Sequence, residues 1–134
     1  MHVAPLFTKT VSLIQVPFDL GAGRRGAALG PAAIVEAGLD RFLRQMGVRF
    51  ESLEVTGAEN TPPLSAEPAE SPVGLKHLDE VVRVNIRLAD TVSAAVREGR
   101  FPLVLGGDHS VAIGTIAGLA AHYRNLGVIW FDAH

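Results

Sequence analysis

Hydrophobic and polar residues follow one another along this chain in a pattern that predicts short strands alternating with longer helices. Four apolar runs of strand length are bounded by turn residues and lie at 11–17, 48–55, 102–105 and 127–131. Helical spacing or helical length predicts three helices, at 31–46, 75–98 and 110–124. Short apolar strands of this kind are typical of a parallel sheet that is covered by helices on both faces. The pattern therefore predicts an α/β fold with a mainly parallel sheet.

The spacing of apolar residues assigns a buried face to each of the first two helices. In the first helix the predicted stripe is Val35, Leu39, Phe42 and Met46, and in the second it is Leu78, Val82, Ala89, Val92 and Val96. Pro31 favours the first helical position, and Gly47 and Gly99 are expected to end the two helices. The run 48–55 alternates apolar and polar residues, so we expect a half-buried strand at the sheet edge.

The segment 56–74 interrupts this pattern, because it contains four prolines and few bulky apolar residues. Such a composition breaks both helix and sheet and buries little surface. The part of the chain before this segment is too small to fold as a separate domain. We therefore expect an exposed loop within one domain that spans 1–134.

Composition narrows the classes of function only slightly. A chain of 134 residues with a net charge of −2 gives no reason to expect nucleic acid or an acidic membrane as a partner. It has no cysteine, which excludes disulfides and thiolate metal sites and fits a reducing compartment. We see no signal peptide and no apolar run of membrane-spanning length, and so we expect a cytoplasmic protein.

Side chains that suit a metal ion follow the last two predicted strands. His109 comes directly after one strand, and Asp132 and His134 come at the end of the next. Carboxyl ends of parallel strands meet at one edge of the sheet, where α/β proteins bind ligands. Residues two apart on an extended backbone point to one side, roughly 6 to 7 Å apart. Such oxygen and nitrogen ligands suit manganese, with iron, cobalt, nickel or zinc as alternatives.

Two neighbours of His109 are given supporting roles. Asp108 is expected to orient His109 from a second layer of contacts, because a carboxylate commonly holds a metal-binding histidine in this way. Ser110 stands where the N-cap of the following helix is predicted.

Three glycines after the first strand formally match the dinucleotide-binding pattern G-x-G-x-x-G, namely Gly21, Gly23 and Gly26. That motif needs a helix to begin within it, whereas Pro31 places the helix start beyond it. A nucleotide-binding hypothesis, with Glu54 as the ribose carboxylate, remains as an alternative that leaves the metal motifs unexplained.

The other interpretation of the glycine segment is a loop at the carboxyl edge of the sheet. It carries Arg24 and Arg25 near the predicted site or a subunit contact, and Asp19 can pair with one of them.

Three stretches together resemble a known family: GGDHS at 106–110, FDAH at 131–134, and VPFDLGAGRRGAALGPAAI at 16–34. The first two are similar to the metal motifs of the ureohydrolases, the arginase and agmatinase superfamily, and the third is similar to the arginase branch. The resemblance implies a three-layer α/β/α fold, incomplete at the C-terminus, with a binuclear manganese centre. The residues that match family ligands are His109, Asp132 and His134.

The implied activity is hydrolysis of the guanidinium group of L-arginine to L-ornithine and urea. In the family the motif continues beyond His134 with a further carboxylate, and the catalytic histidine and two more aspartates follow later. Two ions each need about four to six ligands, more than three side chains supply. We therefore expect a truncated N-terminal part that is inactive alone. The complete family proteins are expected to be homo-oligomers, trimers or hexamers.

Two alternatives remain open. One is a non-catalytic ureohydrolase fragment, and the other is an agmatinase-like hydrolase of another guanidino compound.

The resemblance also implies that strands from the second half of the fold lie between the third and fourth strands here. The last strand, at 127–131, is therefore expected to lack its proper neighbour.

Overall fold

The structure is a computed structural model that describes residues 8–57 and 77–133. Its sheet contains β1 (Val11–Val16), β2 (Phe50–Glu54) and β3 (Phe101–Gly106). The strand order is β2-β1-β3, and both pairings are parallel. This confirms the predicted parallel sheet and the position of β2 at an edge.

Four α-helices connect or follow these strands within the described ranges. A short 3-10 turn at Ala27–Leu29 leads into α1 (Gly30–Glu36), and α2 is Leu39–Gln45. The long α3 (Leu78–Arg97) crosses back to β3, and α4 is Val111–Ala120. No helix among the described residues is both long and apolar enough to cross a membrane.

Helices cover both faces of the sheet. On one face Ile14 and Val16 of β1 pack with Leu88 and Val92 of α3. Val11 points to the opposite face, because side chains alternate along a strand, and it packs with residues in and after α2, Leu43 and Val48. The fold therefore has the three layers that the resemblance implied, in partial form.

The predicted helix at 31–46 is wrong as a single element, because Gly38 divides it. Gly38 has φ 109°, a left-handed conformation that glycine adopts readily, and it ends α1 and precedes α2. The change of direction also alters the buried face. Leu43 is buried, whereas Phe42 and Met46 of the predicted stripe are 56% and 49% exposed.

In α3 the prediction is confirmed for Val92, which is buried, but the rest of the buried face differs from the predicted stripe. The fully buried apolar side chains are Val84, Leu88 and Val92, whereas Leu78 is 39% exposed. The cause is α4, which packs closely along α3. The buried Asn85 accepts a 2.6 Å hydrogen bond from Gly114 N of α4, so a polar residue occupies a position that hydrophobic spacing alone would exclude.

The predicted strand at 127–131 is also wrong for this structure, in which these residues form neither strand nor helix. A strand is stabilised by pairing, and among the described residues β3 pairs only with β1. Ile129 and Phe131 are 84% and 91% exposed. The predicted loop at 56–74 lies almost entirely outside the described residues.

Candidate metal centre

The loop after β1 and the turn after β3 meet at the carboxyl edge of the sheet. Asp108 N donates a 3.0 Å hydrogen bond to Phe18 O, which joins the two segments through their backbones. Gly107 makes this approach possible, because a Cβ atom at this position would overlap Phe18 O. The glycine pair that ends β3 thus lets the two loops touch beside His109.

The Asp108 side chain adds further bonds at this junction. Its Oδ2 accepts from Gly21 N at 2.8 Å, and its Oδ1 accepts from Ser110 N at 2.8 Å and from Ser110 Oγ at 2.5 Å. Ser110 is the N-terminal boundary residue of α4 but its side chain does not cap the helix. The predicted N-cap position is confirmed, but the hydroxyl donates backward to Asp108 instead of accepting from an amide of the helix.

Asp19 organises the rest of the loop after β1. Its side chain is only 3% exposed, and its Oδ2 accepts from Gly26 N at 2.6 Å and from Ala28 N at 3.3 Å. Its Oδ1 lies 2.8 Å from Arg25 Nε, which confirms the predicted pairing with one of the two arginines. The Gly26 hydrogen bond, helped by Ala28 and Arg25, lowers the pKa of Asp19 although burial acts to raise it.

These bonds also weigh against the dinucleotide hypothesis. The first regular α-helix begins at Gly30, beyond the glycine motif. The amides of Gly21 and Gly26 already donate to carboxylates of the chain itself. A pyrophosphate would have to displace these carboxylates to use the same donors.

Two of the predicted metal ligands lie close to one side chain, Trp130. The imidazole of His109 makes an edge-to-face contact with the indole at a centroid distance of 5.7 Å. Trp130 Nε1 in turn donates a long 3.4 Å hydrogen bond to Asp132 Oδ2. The structure therefore brings His109 and Asp132 to the same region of the carboxyl edge, while His134 lies outside the described residues.

Trp130 was not singled out from the sequence. Its position two residues before Asp132, on the same side of an extended segment, was the available signal.

The donor atoms at this edge suit a divalent cation in type. An imidazole nitrogen and a carboxylate oxygen without thiolate fit manganese or a neighbouring first-row ion. Within the described ranges, however, no group of three or more histidine, cysteine, aspartate and glutamate side chains is arranged to hold a metal. A pocket of about 400 Å³ opens beside His109 between the two loops. It is lined by Gly21, Ala22, Gly23, Gly107, Asp108, His109 and Ser110.

Comparison with known proteins decides the family. The sequence profile described as the Arginase family matches residues 9–134. The chain belongs to the Arginase family. The arginase of Bacillus subtilis strain 168 is 48% identical over 126 residues, covering 94% of this chain and 40% of the relative. The arginase of Brevibacillus brevis is 50% identical over 126 residues, with 94% and 41% covered.

Solved arginases share the fold. The native structure of Bacillus caldovelox arginase superimposes with a TM-score of 0.80 at 44% identity, over 95% of this chain and 42% of that one. An arginase structure from Bacillus subtilis gives a TM-score of 0.77 at 46% identity, over 94% and 39%. The chain thus spans about 40% of the length of its curated relatives in the Arginase family.

Proposed function

We propose that this chain forms the N-terminal part of a manganese-dependent hydrolase that converts L-arginine to L-ornithine and urea. The observation that supports this most directly is that His109 and Asp132 both contact Trp130, in a chain of the Arginase family. Because the chain spans only about 40% of its relatives, we assign the activity to the complete protein and expect none from these residues alone.

In this proposal His109, Asp132 and His134 are the residues that hold manganese. The metal, when bound, supplies a water of lowered pKa and therefore a nucleophile near neutral pH. The contribution of the chain is to present an imidazole nitrogen and carboxylate oxygens at one edge of a rigid sheet. The pocket of about 400 Å³ beside His109 gives a guanidino compound room to approach this edge.

For the complete protein we propose a cytoplasmic homo-oligomer, a trimer or hexamer. L-arginine or a related guanidino compound is the expected substrate. The net charge of −2 offers no electrostatic attraction for nucleic acid.

A chimaera tests the proposal. Residues 9–134 would replace the matching 126 residues of Bacillus subtilis arginase, which are 48% identical. We expect the purified chimaera to release urea from L-arginine when manganese is supplied. The matched control carries His109→Ala in the same chimaera and should lose most of this activity. A folded chimaera with normal manganese content that releases no urea would contradict the proposal.

A second candidate is a non-catalytic fragment that binds one metal ion weakly. It is motivated by the length of the chain, which spans about 40% of its curated relatives and supplies only three of the expected metal ligands. Manganese titration of the 134-residue chain by calorimetry tests this candidate. One weak site supports the fragment hypothesis, whereas two tight sites refute it.

A further inference from the structure

Asp108 is held by the loop after β1 through both its backbone and its side chain. Its amide donates to Phe18 O at 3.0 Å, and its Oδ2 accepts from Gly21 N at 2.8 Å. Phe18 and Gly21 lie on the same loop, so the loop contacts Asp108 from two directions. This position is therefore much better determined than that of an ordinary half-buried surface carboxylate.

The second oxygen of Asp108 acts on the other side of His109. It accepts from both the amide and the hydroxyl of Ser110, at 2.8 and 2.5 Å. A single carboxylate thus ties together the residues that precede and follow His109. The His109 side chain is exposed, and the backbone at this turn sets the direction from which it leaves the chain.

Position 21 has no room for a side chain larger than that of glycine. A Cβ atom at position 21 would lie 2.7 Å from Ser110 Oγ and 2.8 Å from Ser110 Cβ. Such distances force a displacement, because Ser110 is itself held by Asp108. The contact between loop and turn therefore depends on a glycine at one end and a carboxylate at the other.

We infer that Asp108 is a positioning residue for His109. Its carboxylate binds the Gly21 amide and the start of α4, and this directs the imidazole towards Trp130 and Asp132. The sequence alone predicted an orienting role for Asp108, and the structure supplies the route, which runs through the backbone on both sides of His109. The inference rests on the proposed function, since it treats His109 as a manganese ligand.

Proton NMR of the 134-residue chain and of an Asp108→Asn variant tests this role. An amide keeps the shape but loses one acceptor atom. We expect the nuclear Overhauser contact between the His109 and Trp130 rings to be lost in the variant. The manganese concentration that half-broadens the His109 ring signals should rise about 10- to 100-fold, the usual effect of losing such a supporting contact.

Ser110→Ala is the matched control, because it removes the hydroxyl but keeps the amide bonds to Asp108. It should retain the ring contact and stay within about two-fold of the wild-type manganese concentration. If Asp108→Asn does not fold, Gly21→Ala breaks the same contact from the loop and should give the same two effects.

Two results separate this inference from the proposed function. A folded Asp108→Asn or Gly21→Ala variant that keeps the ring contact would overturn the positioning role. If manganese leaves the wild-type His109 signals sharp while Asp108→Asn still loses the ring contact, the positioning role stands and the metal assignment of His109 fails.

Discussion

At the scale of single residues, two carboxylates in neighbouring loops have different tasks. Asp19 is buried and satisfies the amides of Gly26 and Ala28 within its own loop. Asp108 instead connects two loops that are far apart in the sequence. The pairing of Asp19 with a nearby arginine could be predicted from the sequence. The amides that Asp19 binds could not be predicted, because their positions depend on how the loop after β1 folds back.

The lowered pKa of Asp19 predicts a specific dependence of stability on pH. A carboxyl group with a folded-state pKa below its unfolded value of about 3.9 stabilises the fold above that value. This stabilisation is lost as the pH falls through the lower, folded-state pKa. We expect the free energy of unfolding, measured in urea between pH 2 and 7, to fall less on acidification in Asp19→Asn than in the wild type.

Arg25→Gln provides the control for this prediction. The Gly26 hydrogen bond is the main cause of the lowered pKa, and this variant keeps it while removing the ion pair. Most of the wild-type pH dependence should therefore remain. Identical pH profiles for Asp19→Asn and the wild type would contradict the assignment.

At the scale of helices, hydrophobic spacing predicted where the helices lie more accurately than which face is buried. The orientation of α3 is determined by α4, where Gly118 lies against Ala89 O and Val92. The apolar spacing of α3 does not reveal this contact, because the contact depends on a glycine in α4. The buried Asn85 illustrates the same point, because its partner is the backbone of α4.

Gly118→Ala tests this packing. A Cβ atom at position 118 would lie 2.6 Å from Ala89 O and 2.7 Å from Val92 Cβ, so the two helices would have to separate. We expect destabilisation of about 1–3 kcal/mol, as is typical for an overpacked core. Chemical denaturation monitored by circular dichroism measures it. Gly127→Ala is the control, since no atom lies within 4 Å of the added Cβ, and equal stability of the two variants would contradict the packing argument.

At the scale of the whole molecule, the sequence predicted the parallel sheet and the edge that carries the polar side chains. The sheet prediction succeeded because the helices between the strands favour parallel pairing, and strand polarity places the GGDHS motif at the carboxyl end of β3. The predicted strand at 127–131 failed because pairing needs a neighbour beyond β3 that no described residue provides. The contact of His109 with Trp130 was equally unpredictable, since it depends on where that unpaired segment lies.

The unpaired segment also predicts how the chain behaves in solution. Ile129 and Phe131 are 84% and 91% exposed, beside a β3 edge that no described strand covers. Exposed apolar side chains next to an open strand edge favour association between chains. We expect sedimentation velocity to show concentration-dependent self-association that the double substitution Ile129→Lys and Phe131→Lys reduces. The free energy of unfolding should change by less than about 0.5 kcal/mol, because both side chains already contact water.

Leu29→Lys is the control, since Leu29 is 74% exposed and lies in a different part of the sequence, before α1. If Leu29→Lys reduces association as strongly as the double substitution, Ile129 and Phe131 do not form the contact surface.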